Sequence, residues 1–327
     1  MMIATYVRRI TISGSRKTTW HRFPASVCGN SYKQQRYFSS PHNDEEIVEP
    51  TINTQEMQST IINQAPEIVT SLTNNGYYTT TNFLPPTMIS TIRSQAISLR
   101  NKGRYEQSWS EKIVNGKAQR FDKEGVFACE PDGQDYYTAP DLITYMSVLL
   151  QTLPSAINKY DTSTSNIELS NTSFNAKLAV TLPGGHKYPL HIDNPQGVSV
   201  GDIRKLTCIL YLNPDYNIGK DGGELRLFLP SKKEDKPKEL EVVDLTPEGG
   251  RLIMFWSDEI PHEVLATAEL DDEIPHEVLA TAELDDESQL SPSDLDRYAL
   301  TVWIPTENIS RLHNESSKFS HLRDLSF

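Results

Sequence analysis

Between residues 174 and 305 the chain breaks into short runs rich in β-branched and aromatic residues, each closed by glycine, proline, asparagine or aspartate. The runs occupy 174–182, 188–192, 205–213, 222–229, 240–245, 250–256, 261–268 and 297–305. Segments this short bury little as isolated helices, whereas eight of them separated by polar turns can satisfy their backbone groups by antiparallel pairing. The pattern predicts a jelly roll with its core at about 174–306. The Pro- and charge-rich stretch 230–239 reads as a solvated hairpin tip, or else as a loop facing a substrate.

Upstream the periodicity is helical. A helix is expected over 61–74, stopped by Asn75-Gly76, followed by a short strand at 77–81. Pro85-Pro86 opens a second helix carrying Met88, Ile92, Ala96 and Leu99, and a third over 140–160 carries Leu142, Tyr145, Met146, Leu149 and Leu153. These stripes would cover one sheet, giving a single α+β domain over 61–310, with 39–60 a polar linker and 311–327 a C-terminal tail.

Charge separates the first 38 residues from the rest. The whole chain has 31 Lys and Arg against 44 Asp and Glu, a net charge of -13, which argues against nucleic acid as a general partner. Yet Arg8, Arg9, Arg16, Lys17, Arg22, Lys33 and Arg36 precede the first acidic residue, Asp44. A basic, Ser/Thr-rich, acid-free leader over 1–38 reads as an organelle transit peptide. Arg36-Tyr37-Phe38-Ser39 resembles a mitochondrial processing site, so mitochondrial import is expected, with plastid import or a cytoplasmic protein with a basic N-terminus as alternatives. No apolar run is long enough to span a bilayer as a helix, so no membrane partner is expected. Cys28, Cys129 and Cys208 lack the spacing of a zinc cluster or a disulfide framework.

Three residues in the β region carry metal chemistry. His191 and Asp193 end one run and, two apart, would point to the same face. A bare His-x-Asp is as readily a hydrogen-bonded pair, but a further histidine opens a later run in Pro261-His262-Glu263-Val264. Two histidines and a carboxylate form the facial triad of non-haem Fe(II) sites, which leaves adjacent coordination positions open. Zinc could occupy the same ligands, although no HExxH motif supplies a hydrolytic base. On the last strand Arg297, Ala299 and Thr301 share a face, and an inward guanidinium calls for an anion such as a carboxylate. Tyr211 could donate to the same anion or simply pack in the core.

One feature complicates the ligand set. The 14 residues from Asp258 to Asp271 recur unchanged from Asp272 to Asp285, either a tandem duplication of a strand and its loop or an error in the gene model. His262 and His276 therefore compete for one ligand place. The short connection from Trp256 favours His262, with His276 as the alternative.

The motifs taken in order, His191-Ile192-Asp193, Tyr211-Leu212-Asn213, then GGELRLF, FWSDEIPHEV and RYALTVW, resemble the 2-oxoglutarate- and Fe(II)-dependent prolyl 4-hydroxylases, closest to the hypoxia-factor (Egl-nine type) branch. The likeness is dense over about 174–305 and thinner back to about residue 66. It implies a double-stranded β-helix with iron on His191, Asp193 and the histidine of PHEV. It implies 2-oxoglutarate bound at its far carboxylate by Arg297, assisted by Tyr211 and Thr301, with Tyr188 beside the metal. It further implies O2 as co-substrate, decarboxylation to succinate and CO2, ascorbate as reductant, and a protein or peptide substrate with proline. A non-prolyl substrate, or a jelly roll weakened by the duplication into a binding protein, are the alternatives. One departure from the family pattern is Leu182 before Pro183-Gly184, where a tyrosine is common.

Overall fold

Helix α1 (Thr54–Asn75) starts ahead of residue 61 because Asn53 caps it, its side chain accepting the Glu56 N–H at 3.1 Å, and Met57 extends the buried stripe of Ile61, Ala65, Ile68 and Leu72. The intervening polar residues hide that first turn in the sequence. Gly76, at φ 82°, closes the helix in the left-handed region and returns its N–H to the Leu72 carbonyl. Helices α2 (Pro86–Asn101) and α3 (Pro140–Tyr160) each begin on a proline, whose missing N–H is harmless there and whose φ is already helical. This computed structural model describes residues 49–114, 117–161, 167–231, 240–269, 292–315 and 317–324. The leader at 1–38 and the second copy of the duplication lie outside them, and no described helix is long and apolar enough to cross a membrane.

The strands are β1 (Tyr77–Thr80), β2 (Glu106–Val114), β3 (Lys117–Cys129), β4 (Asn175–Thr181), β5 (Tyr188–His191), β6 (Arg204–Tyr211), β7 (Leu225–Pro230), β8 (Leu240–Leu245), β9 (Leu252–Trp256), β10 (His262–Val264) and β11 (Arg297–Pro305). They form a seven-stranded sheet in the order β1-β9-β6-β11-β4-β3-β2 and a four-stranded sheet in the order β5-β10-β7-β8. All described pairings are antiparallel. The eight strands from β4 onward divide between the two sheets as a jelly roll does. Register puts Ile209, Ile253, Phe255 and Ala299 on the face of the large sheet that bears Arg297, toward Leu227 and His262 of the small sheet, while Leu178, Leu210, Met254 and Leu300 are buried on its opposite face.

Three local outcomes differ from the pattern reading. β10 is shorter than the run at 261–268, because after Val264 the regular ladder gives way to single bonds, the Leu265 N–H to the Glu224 carbonyl and the Gly223 N–H to the Ala266 carbonyl, and to a bridge between Thr267 and Gly222. The β2–β3 hairpin carries no clean apolar face; its anchor is Val126 to Cys129, paired with β4 at the edge of the large sheet. Residues beyond 310 do not trail off, since Leu312, Phe319 and Leu322 are buried and Phe319 packs at Gly76.

Two arginines of α2 fix the start of β11. Arg93 donates to the carbonyls of Leu212, Ser293, Asp294 and Asp296, and Arg100 pairs with Asp296 at 2.6 Å with both side chains only 1% exposed. A buried cation that loses its counter-charge is strongly destabilising. Asp296→Ala is therefore expected to lower the unfolding free energy by roughly 3 to 5 kcal/mol, read as a fall in the denaturant midpoint.

Candidate metal centre

β5 and β10 are neighbours in the small sheet, and His191 stands directly opposite His262. Asp193 lies just past the end of β5 and turns its carboxylate toward both imidazoles. His191 Nε2 is 3.6 Å and His262 Nε2 3.9 Å from the same oxygen, Asp193 Oδ1. One potential ligand atom from each residue lies within 4.8 Å of the other two.

The surroundings prepare these atoms as donors. His191 Nδ1 lies 2.9 Å from the Pro189 carbonyl, and His262 Nδ1 lies 3.0 Å from that of Ile260. A carbonyl can only accept, so each Nδ1 carries the proton and each Nε2 presents a lone pair. Asp193 Oδ2 accepts from Thr207 Oγ1 at 2.7 Å and from the Trp303 indole N–H at 2.9 Å, which leaves Oδ1 toward the histidines. Arg204 steadies the same residue by donating to the Asp193 carbonyl at 2.6 Å.

Charge follows from this geometry. Burial opposes ionisation of Asp193, but His262, His191 and Arg204 outweigh it and hold the carboxyl well below the usual range. Burial, reinforced by His191, pushes His262 down to about 4, so its imidazole is neutral at neutral pH. Two imidazole nitrogens and one carboxylate oxygen, each oriented by a second hydrogen bond, suit a divalent cation with open coordination positions.

Tyr188 reaches this centre through an irregularity. Val264 pairs with Tyr188 while His262 pairs with His191, so β5 carries one more residue than β10 across the interval. The extra residue brings Tyr188 onto the side of His191, with ring centroids 4.5 Å apart, where strict alternation would separate them. Lys123 of β3 donates to the Tyr188 hydroxyl.

Arg297 sits at the start of β11 and reaches across to the small sheet. Its Nε donates to the Gly223 carbonyl at 2.7 Å and its Nη2 to the Tyr211 hydroxyl at 3.2 Å. Gly222 and Gly223 precede β7 at φ 63° and 74°, and a Cβ on Gly223 would stand 2.7 Å from the Arg297 side chain. The glycine pair therefore supplies both the turn and the room for the guanidinium. Burial raises the Tyr211 phenol above its ordinary value despite Arg297, so it remains protonated and able to donate. Thr301 lies on the same face of β11 and is half-buried.

His191, Asp193 and His262 are thus brought together, with Tyr188 beside them, while Arg297 and Tyr211 meet at the start of β11. His276 falls outside the described residues. Thr207 and Trp303 were not singled out from the sequence. Trp303 shares the alternating face of Arg297 and Thr301, which was the available signal; Thr207 had none, because its role depends on which strand β5 faces.

Residues 176–305 match the 2OG-Fe(II) oxygenase superfamily. Egl nine homolog 1 of Rattus norvegicus is 33% identical over 141 residues, covering 42% of this chain and 31% of the relative. The chain thus spans about a third of that relative's length. Two solved structures share the fold. A prolyl-4-hydroxylase from Pseudomonas putida has a TM-score of 0.50 at 24% identity and covers 74% of this chain and 98% of its own. A prolyl hydroxylase from Trichoplax adhaerens, solved in complex with a hypoxia inducible factor oxygen degradation domain peptide fragment, has a TM-score of 0.53 at 22% identity and covers 79% and 96%.

Because His262 occupies the place opposite His191, His262→Ala is expected to abolish metal binding, whereas His276→Ala leaves it near normal. Equilibrium titration of the metal-free protein with Fe(II) under anaerobic conditions distinguishes the two. The reverse pattern would assign the ligand to the second copy, and partial loss in both would mean that the copies exchange places.

Proposed function

Taking the 2OG-Fe(II) oxygenase domain of residues 176–305 as its premise, we propose that the chain is an Fe(II)- and 2-oxoglutarate-dependent dioxygenase that hydroxylates a prolyl residue of a protein or peptide. The observation that carries this reading is the convergence of His191, Asp193 and His262 with their lone pairs on one point. Bound Fe(II) would supply the activation of O2 that couples decarboxylation of 2-oxoglutarate, to succinate and CO2, with hydroxylation of a C–H bond; ascorbate would keep the metal reduced.

The residues of the chain do the positioning. His191, His262 and Asp193 would hold the metal, with Thr207 and Trp303 occupying Asp193 Oδ2 and leaving Oδ1 toward the histidines. Arg297, locked to the Gly223 carbonyl through Nε, turns the rest of its guanidinium to the distal carboxylate of 2-oxoglutarate. Tyr211, buried and protonated, adds a hydrogen bond to that carboxylate, and Thr301 adds another from the same face of β11. Phe255, fully buried with its ring 4.6 Å from that of His262, keeps that side of the site apolar, and Leu182 stands where a tyrosine is common in such enzymes.

The peptide bound in the Trichoplax adhaerens structure supports a peptide substrate. The donor set that His262 of the first copy completes with His191 and Asp193 favours an enzyme over a jelly roll that has kept only binding. The acid-free leader at 1–38 supports mitochondrial import of a mature chain beginning near Ser39.

Succinate formation should require added Fe(II), 2-oxoglutarate and a proline-containing peptide together. Arg297→Ala should raise the 2-oxoglutarate requirement by one to two orders of magnitude, as a charged buried hydrogen bond of about 1.5 to 3 kcal/mol implies, and leave Fe(II) affinity largely intact. Loss of metal binding with an unchanged co-substrate response would overturn the assignment. A fusion of residues 1–38 to a fluorescent protein should enter mitochondria, and diffuse cytosolic fluorescence would reject import.

A further inference from the structure

The chain returns to the metal centre from behind after β11. A turn of 3-10 helix at Ile309–Arg311 leads to His313, which takes a left-handed φ of 51°. That conformation is uncommon and strained for a residue with a side chain. In return, it aims two donors of one residue at two different loops. The His313 backbone N–H donates to Asp258 Oδ2 at 2.8 Å, and its ring Nε2–H donates to the Asn194 carbonyl at 2.8 Å.

Both targets adjoin the ligands. Asn194 directly follows Asp193 and is itself fully buried, its N–H donating to the Ser257 carbonyl at 2.8 Å. Asp258 opens the turn that leads into His262, where the N–H groups of Glu259 and Ile260 fold back on the Trp256 carbonyl. Asp258 is in turn fixed by Lys205, whose buried ammonium lies 2.9 Å from Asp258 and 2.8 Å from Glu259. Ser317 donates to Glu259 from the same C-terminal stretch. Gly197, at φ 55°, has no Cβ, and one would stand 2.9 Å from the His313 ring, so the floor of the loop after Asp193 is cut away to admit the imidazole.

We infer that His313 is a positioning residue for the metal centre: its ring N–H on the Asn194 carbonyl sets where Asp193 presents its carboxylate to His191 and His262. This rests on the metal reading proposed above. Without the ring N–H, a buried carbonyl loses its donor, and the local relief is a tilt of the backbone at Asn194. Such a tilt carries Asp193 with it. His191 and His262, held through Pro189 and Ile260, would stay in place, so the ligand triangle would open on the carboxylate side alone.

The test uses the full chain and Co(II) as the added metal, followed by its visible ligand-field bands. His313→Ala should weaken Co(II) binding about ten- to a hundredfold, as removal of outer-sphere partners typically does, and should shift the bands. His313→Gln, whose amide nitrogen reaches about as far as the imidazole Nε2, should restore both; His313→Asn, one bond shorter, should not. A denaturant midpoint for each variant separates this from general loosening, and the contrast of Gln with Asn decides the matter even where the Ala variant folds poorly. Wild-type Co(II) affinity and bands in His313→Ala, or a Gln variant as impaired as Asn, would overturn the inference. A wild-type chain that binds no Co(II), or binds it equally well after His191→Ala, would remove the metal reading and this inference with it.

Discussion

The carboxylate of Asp193 is where the two sheets are made to agree. It hangs from the end of β5 in the small sheet, yet its Oδ2 is held by Thr207 of β6 and Trp303 of β11 in the large one. Any change in the separation or stagger of the sheets must move that oxygen against two donors, and with it the face offered to the histidines. Packing in a jelly roll is only loosely directional, because apolar contacts tolerate sliding. Hydrogen bonds to one charged group from two strands are not so tolerant, and they translate sheet packing into ligand geometry.

The other end of β11 shows the same logic with the charges reversed. Arg297 belongs to the large sheet but is held by the Gly223 carbonyl at the mouth of the small one. Behind it, Arg93 and Arg100 of α2 grip the residues just before the strand through backbone carbonyls and Asp296. The helices thus do more than shield a sheet. They set the point at which β11 begins, and so which of its residues face inward together.

Much of this was legible in the residues. Short β-rich runs between turn residues marked all eight strands of the jelly roll, and the stripes on α2 and α3 matched their observed spans because proline starts gave sharp signals. The spacing of His191 and Asp193 and the inward parity of Arg297 were equally plain. What escaped notice depends on tertiary pairing. The β2–β3 hairpin has no apolar periodicity of its own and exists as an edge addition to β4. Tyr188 faces His191 only because β5 carries an extra residue, which no alternation rule reveals. The polar stretch after residue 310 looked like a tail because Phe319 and Leu322 are too sparse to form a stripe, although both are buried.

The anchoring on either side of the duplicated stretch bears on how such a chain can vary. Ala268 bonds to Asp221 and Gly184, and Thr267 to Leu182, while downstream the arginines of α2 hold Ser293 to Asp296. Excising either copy would leave the identical polypeptide, and would shorten the undescribed stretch 270–291 from 22 residues to 8. The strands that carry His262 and Arg297 are thus each pinned by bonds of their own, so neither relies on the repeated stretch between them to hold its place at the site.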